Sequence, residues 1–485
     1  MGASTFREFA FDGSALRTQV LRGGSWLGAG TAIEQALRLG RNMLLTRLLA
    51  PEAFGTMAIV MSISTAVESF TQIGLREALI QNPKGHDENY VNAAWWLAVG
   101  RGVVLYLLAF AVAPSIADFY RNSELTLLLR VGVLSILFSG AMSAQAWVGL
   151  KEMKFKRWAV IYHGGGICGI LITVLLSLYL RNVWALAIGF AAEAAAACFL
   201  SHLLCPFRPR LRIDRSPAGE LLRFSRGVVG LPFLNFIFLR ADIFVVGKLY
   251  SAEQLGLYGM AVNLAQVPAI FMMNLLGQVM MPAFSQLQAA KERTNQIFLE
   301  VTRAVAFLGL PLLIFVIFYG RSLIRVLYGA SYSATATCFV VACFTALINT
   351  VNGPITTVFY ANGRPQLHRR FAWIRAILMV LLIYPFVRWF GLIGAALAGG
   401  VAILIGYLFQ VRLIGRLTAL NLNQYSRIFL LASAISLSVI AIRFGTQPLT
   451  GLARPLPNLL SGLFGCLLSY GLYFVIRMRE KKSSA

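Results

Sequence analysis

The sequence predicts an all-α polytopic membrane protein. Apolar runs of about 18 residues or more recur along the whole chain, and each is long enough to cross a bilayer as a helix. The runs are continuous rather than alternating, which excludes a membrane β-barrel. Charged residues make up only 13% of the 485 residues against 58% hydrophobic, and mean hydropathy is +0.71. A water-soluble domain of this size could not cover its surface with so few charges.

Fourteen spans follow in order, each closed by a charged or polar turn. Span 25–47 leaves the segment of Arg7, Arg17 and Arg22 and ends at Arg47, and span 55–76 returns to Arg76 and Lys84. Spans 92–114 and 126–148 turn at Arg121 and return to Lys151, Lys154, Lys156 and Arg157. Spans 158–180 and 183–204 turn at Arg181 and reach Arg208, Arg210, Arg212, Arg215, Arg223 and Arg226. Spans 227–248 and 256–281 turn at Lys248 and return to Lys291 and Arg293. Spans 298–319 and 336–359 turn around Arg321 and Arg325 and return to Arg364, Arg369 and Arg370. Spans 371–388 and 391–411 turn at Arg388 and return to Arg412, Arg416 and Arg427. Spans 427–444 and 457–476 turn around Arg443 and Arg454 and end at Arg477, Arg479, Lys481 and Lys482.

One set of turns thus carries 27 of the 43 Lys and Arg residues and the other carries 9. The basic side is expected to be cytoplasmic, with both termini on it. Topology accounts for most of the +24 net charge, so nucleic acid is not needed as a partner. The N-terminal residues lack the long apolar core of a cleavable signal peptide.

An internal echo organises these spans. Arg47-Leu48-Leu49-Ala50-Pro51-Glu52-Ala53-Phe54-Gly55 aligns without a gap with Lys248-Leu249-Tyr250-Ser251-Ala252-Glu253-Gln254-Leu255-Gly256, 201 residues later. Weaker matches follow in the same order, after Arg101 and Arg303 and at Val183 and Ile393. An even number of spans per copy gives parallel repeats around an axis along the membrane normal. The expected domains are a cytoplasmic segment 1–24, an N-lobe 25–205, a basic linker 206–226, a C-lobe 227–411, a helix pair 412–476 and a cytoplasmic tail 477–485. Two such lobes enclose a central cleft and rock to expose it to either side.

The chemistry lies in charges at membrane depth, where each normally faces a cavity or a partner. Seven arginines fall inside spans: Arg38, Arg41, Arg101, Arg130, Arg240, Arg303 and Arg375. Five carboxylates accompany them: Glu34, Glu68, Glu193, Asp242 and Glu300. Glu34, Arg38 and Arg41 form one stripe of the first helix. Glu34–Arg38 and Glu300–Arg303 have ion-pair spacing, and Arg130, Glu300, Arg303 and Arg375 lie near span ends, within snorkelling reach. The surplus of arginine suits a phosphate-bearing anion, because guanidinium stays charged in low dielectric and binds phosphate bidentately. It suits a drug cation poorly. Arg38, Arg41, Arg101, Arg240 and Arg303 are the expected cationic cleft. Glu34, Glu68, Glu193 and Asp242 are candidates for carrying a coupling H⁺ or Na⁺.

Other motifs read as structure. Gly164-Gly165-Gly166-Ile167-Cys168-Gly169 lacks the strand–helix context of a phosphate loop and fits close helix packing. His163 has no companion ligand, and the six scattered cysteines read as small packing residues. No Walker A motif, catalytic triad or metal cluster is present in the sequence, so neither cofactor nor metal is expected.

The segment Arg47 to Gly55, followed by Ile73-Gly74-Leu75-Arg76-Glu77-Ala78-Leu79-Ile80-Gln81, resembles the start of Wzx-type oligosaccharide flippases. These belong to the polysaccharide transport family of the multidrug/oligosaccharidyl-lipid/polysaccharide exporter superfamily. Arg240-Ala241-Asp242, Leu255-Gly256-Leu257-Tyr258, Tyr328-Gly329 and Gly391-Leu392-Ile393-Gly394-Ala395-Ala396 are similar to the later part of the family pattern, so the likeness runs through nearly the whole chain. The resemblance implies a V-shaped fold, of the kind seen in MATE exporters and the flippase MurJ, with two extra C-terminal helices. It implies no enzyme but a flippase in the bacterial inner membrane, acting on undecaprenyl-diphosphate-linked oligosaccharide, with a polysaccharide polymerase and co-polymerase as candidate partners. The alternative is an ion-coupled drug or metabolite exporter on the same fold. A membrane polymerase is disfavoured, because every outer loop is short.

Overall fold

The computed structural model describes residues 13–70, 74–211, 215–225, 231–286, 291–418, 420–450 and 455–484. Arg7, Ile73, Arg212, Arg226, Arg454 and residues 227–230 of the expected seventh span lie outside the described residues. Among the described residues the chain is helical throughout, with no strand. The first part comprises α1 (Gly13–Leu48), α2 (Pro51–Phe70), α3 (Leu75–Gln81), α4 (Glu88–Tyr120), α5 (Glu124–Gly132), α6 (Leu134–Gly140), α7 (Gln145–Lys151), α8 (Phe155–Leu180) and α9 (Val183–Leu204). After α10 (Arg215–Ser225) come α11 (Leu231–Leu249), α12 (Ala252–Gln286), α13 (Lys291–Tyr328), α14 (Ala336–Ala361), α15 (Pro365–Thr418), α16 (Leu422–Thr450) and α17 (Pro455–Ser484).

Among the described residues, nine helical stretches are long and apolar enough to cross a bilayer, or ten if the bent pair Glu124–Gly140 and Gln145–Lys151 counts as one. The long helices that fall short are α1, α2 and α11. They are the ones carrying Glu34, Arg38, Arg41, Glu68, Arg240 and Asp242.

Two spans depart from straight helices. The expected span 126–148 is broken into α5, α6 and α7, with a 59° bend before α7. Backbone freed at that break needs partners inside the protein. Ser201 Oγ accepts from the Ser143 N–H at 2.9 Å, Ser143 Oγ donates to Cys205 O at 2.7 Å, and Trp95 Nε1 donates to Ala141 O at 3.3 Å. The element α15 turns at Gly391, whose combination of φ 62° and ψ −143° is open to glycine because it has no Cβ. This turn is the expected boundary between spans 371–388 and 391–411.

The two copies of the echo meet directly. A Cβ on Gly55 would stand 1.8 Å from Ala252 O, and a Cβ on Gly256 would stand 1.8 Å from Pro51 O. Ala252 and Pro51 occupy the same place in the two copies, so the crossing of α2 over α12 is reciprocal. Small residues let membrane helices approach to backbone contact in this way. The basic residues of the motifs also exchange partners. Arg47 Nη2 donates to Val326 O near the end of α13 at 3.4 Å, and Lys248 Nζ donates to Phe119 O near the end of α4. Each cation meets the negative end of a helix in the other half of the chain. The apolar core beneath is continuous across both halves, joining Leu45, Val60 and Leu128 to Val246, Leu255 and Tyr258.

The expected linker 206–226 is strapped to the first half. Asn92 Nδ2 donates to Arg210 O at 3.1 Å, Arg210 N donates to Asn92 Oδ1 at 2.9 Å, and Trp96 Nε1 donates to Arg210 O at 2.8 Å. Leu221 of α10 is fully buried. At the far end of the chain, α17 packs on α13 through Gly462, which faces Phe315 and Tyr319, and through Tyr473 stacked on Phe307.

Gly55→Ala and Gly256→Ala are each expected to cost about 1–3 kcal/mol by overpacking the crossing. Thermal unfolding of the purified protein in detergent checks this. Gly40→Ala, where a Cβ meets nothing within 4 Å, should leave the midpoint the same or slightly higher, because alanine is the better helix former.

Candidate substrate and ion site

The stripe on α1 is ordered by ion pairing. Arg38 Nε donates to Glu34 Oε1 at 2.7 Å, and Arg38 Nη2 donates to Glu193 Oε1 on α9 at 2.6 Å. The second oxygen of Glu34 lies 2.6 Å from His163 Nδ1 on α8. With Glu34 ionised, that nitrogen carries the proton and the histidine is oriented by it. The glycines of α8 make room for the cluster: a Cβ on Gly166 would meet Glu34 Oε1 at 2.7 Å, and one on Gly169 would meet Glu193 Cβ at 2.6 Å. On α1, Gly30 does the same for the His163 ring. The glycine run is therefore a packing surface in the middle of a helix, and His163 is a satisfied partner within the cluster.

Arg38, expected in the cationic cleft, thus has its charge taken up by two carboxylates. Arg41, one turn further along α1, donates from Nη2 to Asn42 Oδ1 at 3.1 Å and lies beside Tyr328 of α13, between the two halves. Arg101 Nη2 donates to Glu68 O at 3.1 Å, with the Glu68 carboxylate also nearby. In the second half, Asp242 is buried and accepts from the Tyr258 hydroxyl at 2.8 Å and from the Ile243 N–H at 2.8 Å. It borders a cavity of about 60 Å³ together with Gln266, Thr345 and Asn349. Arg240 on α11 and Arg303 on α13 are half-buried, and neither lines that cavity.

A larger cavity, about 500 Å³, opens within the first half. Glu68, Arg101 and Glu193 line it, so three residues singled out in the sequence converge there. Arg38, Arg41, Arg240 and Arg303 are not among its lining residues. Sequence reasoning missed its aromatic wall, Trp147, Trp158, Tyr162 and Phe190: Trp158 and Tyr162 share a face of α8 at i, i+4, but only tertiary packing brings Trp147 of α7 and Phe190 of α9 beside them.

Arg375 lies within snorkelling reach of a span end in the sequence, but the structure holds it inside. It does not snorkel: it is only 6% exposed, donates to Asn235 Oδ1, and lies 4.6 Å from the Phe238 ring centre and 5.0 Å from that of Phe371. Cation–π contact holds this guanidinium between α11 and α15. Arg130 likewise sits 4.0 Å over the Phe110 ring.

Charged residues gathered inside long apolar helices, with α2 and α12 crossing backbone to backbone, define a polytopic helical membrane protein. The solved structures of similar fold agree. Lipid II flippase MurJ in an inward closed conformation aligns with a TM-score of 0.77 at 16% identity, covering 93% of this chain and 99% of that one. An inward-facing multidrug resistance MATE family transporter of the MOP superfamily gives 0.60 at 12% identity, covering 80% and 96%. Residues 44–337 match the family described as polysaccharide biosynthesis protein, and the chain belongs to that family. It is similar to lipopolysaccharide biosynthesis protein WzxC of Escherichia coli (strain K12), 22% identical over 81% of this chain and 79% of WzxC. It is also similar to teichuronic acid biosynthesis protein TuaB of Bacillus subtilis (strain 168), 21% identical over 89% and 91%.

Removing Arg38 leaves two carboxylates without their cation. Arg38→Ala is expected to lower stability by up to about 3 kcal/mol, discounted because Glu193 is partly exposed. Arg38→Lys should recover most of the loss. An unchanged melting midpoint for Arg38→Ala in nanodiscs would contradict the pairing.

Proposed function

We propose that this chain flips undecaprenyl-diphosphate-linked oligosaccharide across the bacterial inner membrane by alternating access, as a step of polysaccharide biosynthesis. The observation that carries the reading is the reciprocal crossing at Gly55 and Gly256. It joins equivalent elements of two duplicated halves at one end of the molecule, as a closable gate requires. Family membership and the printed roles of WzxC, TuaB and MurJ support the substrate class.

In this reading the chain has fourteen spans: lobes 25–205 and 227–411, joined by the linker 206–226, and the pair 412–476. Both termini are cytoplasmic, because the basic turns lie on their side. The motif crossing then closes the outer side, and Arg47 and Lys248 latch it. Arg41 and Arg240, one from each lobe, take the diphosphate, with Arg101 and Arg303 adding positive potential. Arg38 is already neutralised, so it serves the ion pair with Glu34 and Glu193. Those two carboxylates, with Glu68 and Asp242, are the groups through which H⁺ or Na⁺ would couple. A polymerase and co-polymerase would receive the flipped product.

The test is leaflet accessibility of labelled undecaprenyl-diphosphate-linked oligosaccharide in proteoliposomes. Arg41→Ala and Arg240→Ala should each slow flipping about tenfold or more, the loss of one charge-assisted phosphate contact. Arg→Lys should be partly tolerated and Arg→Glu should not. Equal flipping by wild type and both alanine variants would remove the diphosphate site.

A further inference from the structure

We infer that the cavity inside the first half is a sugar subsite, taking neutral, hydroxyl-rich residues of the lipid-linked glycan. The inference rests on the proposed flippase function and adds where the glycan sits. The cavity's volume of about 500 Å³ lies within the ~300–1,000 Å³ of small-molecule sites.

Charge argues for a neutral ligand. Each carboxylate in the wall faces a guanidinium: Glu77 is 2.7 Å from Arg76, Glu193 is 2.6 Å from Arg38, and Glu68 is beside Arg101. No surplus cation remains there to hold a bare diphosphate. Paired carboxylates and guanidiniums still present free lone pairs and N–H groups, which suit sugar hydroxyls. Trp158 and Tyr162 supply flat apolar faces on the same wall, and such faces pack against the C–H face of a sugar ring. Ser64 is 2% exposed and lines the cavity, yet its Oγ has no hydrogen-bond partner among the described residues.

Position argues for a glycan attached to lipid diphosphate. Glu193 belongs both to the cavity wall and to the Arg38 cluster, and Arg41 lies one helical turn from Arg38. A diphosphate held at Arg41 therefore points its first sugars toward Glu193 and the cavity. Sugar hydroxyls at Glu193 compete with Arg38 for the same carboxylate, which links loading of the subsite to the ion pair on α1.

The experiment measures binding of two probes to the full chain in nanodiscs by native mass spectrometry. The probes are undecaprenyl diphosphate and undecaprenyl diphosphate bearing one glucose. Wild type is expected to prefer the glucose-bearing lipid about tenfold, the effect of a few hydrogen bonds and one ring contact. Ser139→Phe, which fills the cavity from its exposed wall, and Trp158→Ala should abolish that preference. Both should keep affinity for the sugar-free lipid within about twofold, which also shows that they fold. Trp158→Phe keeps an aromatic face and should retain most of the preference. Absence of a preference in wild type, or its survival in both Ser139→Phe and Trp158→Ala, overturns the subsite. If the alanine and phenylalanine variants keep the preference while wild type flips the lipid, the flippase reading stands without the subsite. If wild type binds neither probe, both fall together.

Discussion

Backbone meets backbone where α2 crosses α12, and the rest of the architecture is arranged around that contact. Within a bilayer no hydrophobic drive pulls one helix onto another, so association depends on packing and on weak polar contacts at short range. Gly55 and Gly256 remove the side chains that would hold the helices apart, and each faces a carbonyl of the opposite motif. Contacts of this kind contribute about 0.5–1 kcal/mol each, enough to order the crossing and small enough to be released. The cationic latches are also single hydrogen bonds to helix ends. A closure made of a few modest terms can open without unfolding either half.

Charge is treated differently on the two sides of that crossing. In the first half, Glu34, Arg38, His163 and Glu193 satisfy one another over 2.6–2.7 Å contacts. In the second half, Asp242 is held by a tyrosine and a backbone amide, with no arginine in hydrogen-bond contact among the described residues. The two echo motifs are alike, whereas the ionisable groups on the helices around them differ.

Much of the helix layout was legible because apolar runs are set by bilayer thickness. The boundary before Gly391 was legible too, from Arg388 standing between two apolar runs. The break in span 126–148 was not, since it depends on Ser143 finding Ser201 and Cys205 some 60 residues away. Likewise Glu34–Arg38 follows from helical spacing, whereas Glu193 and His163 join them only through tertiary packing. Arg375 read as a snorkelling side chain because sequence shows its distance from a span end and not the rings of Phe238 and Phe371. The echo of Arg47–Gly55 in Lys248–Gly256 announced a repeat, but its reciprocal contact required three dimensions.

The most direct measurement of the gate is a reversible cross-link across it. Glu52 and Ser251 line one recess beside the crossing, from opposite halves. Cysteines at these two positions in a cysteine-free background, joined by a short reducible thiol cross-linker, would lock α2 to α12. The account predicts that flipping stops on cross-linking and returns on reduction. Full flipping by completely cross-linked protein would contradict it, because the two halves would then never need to part.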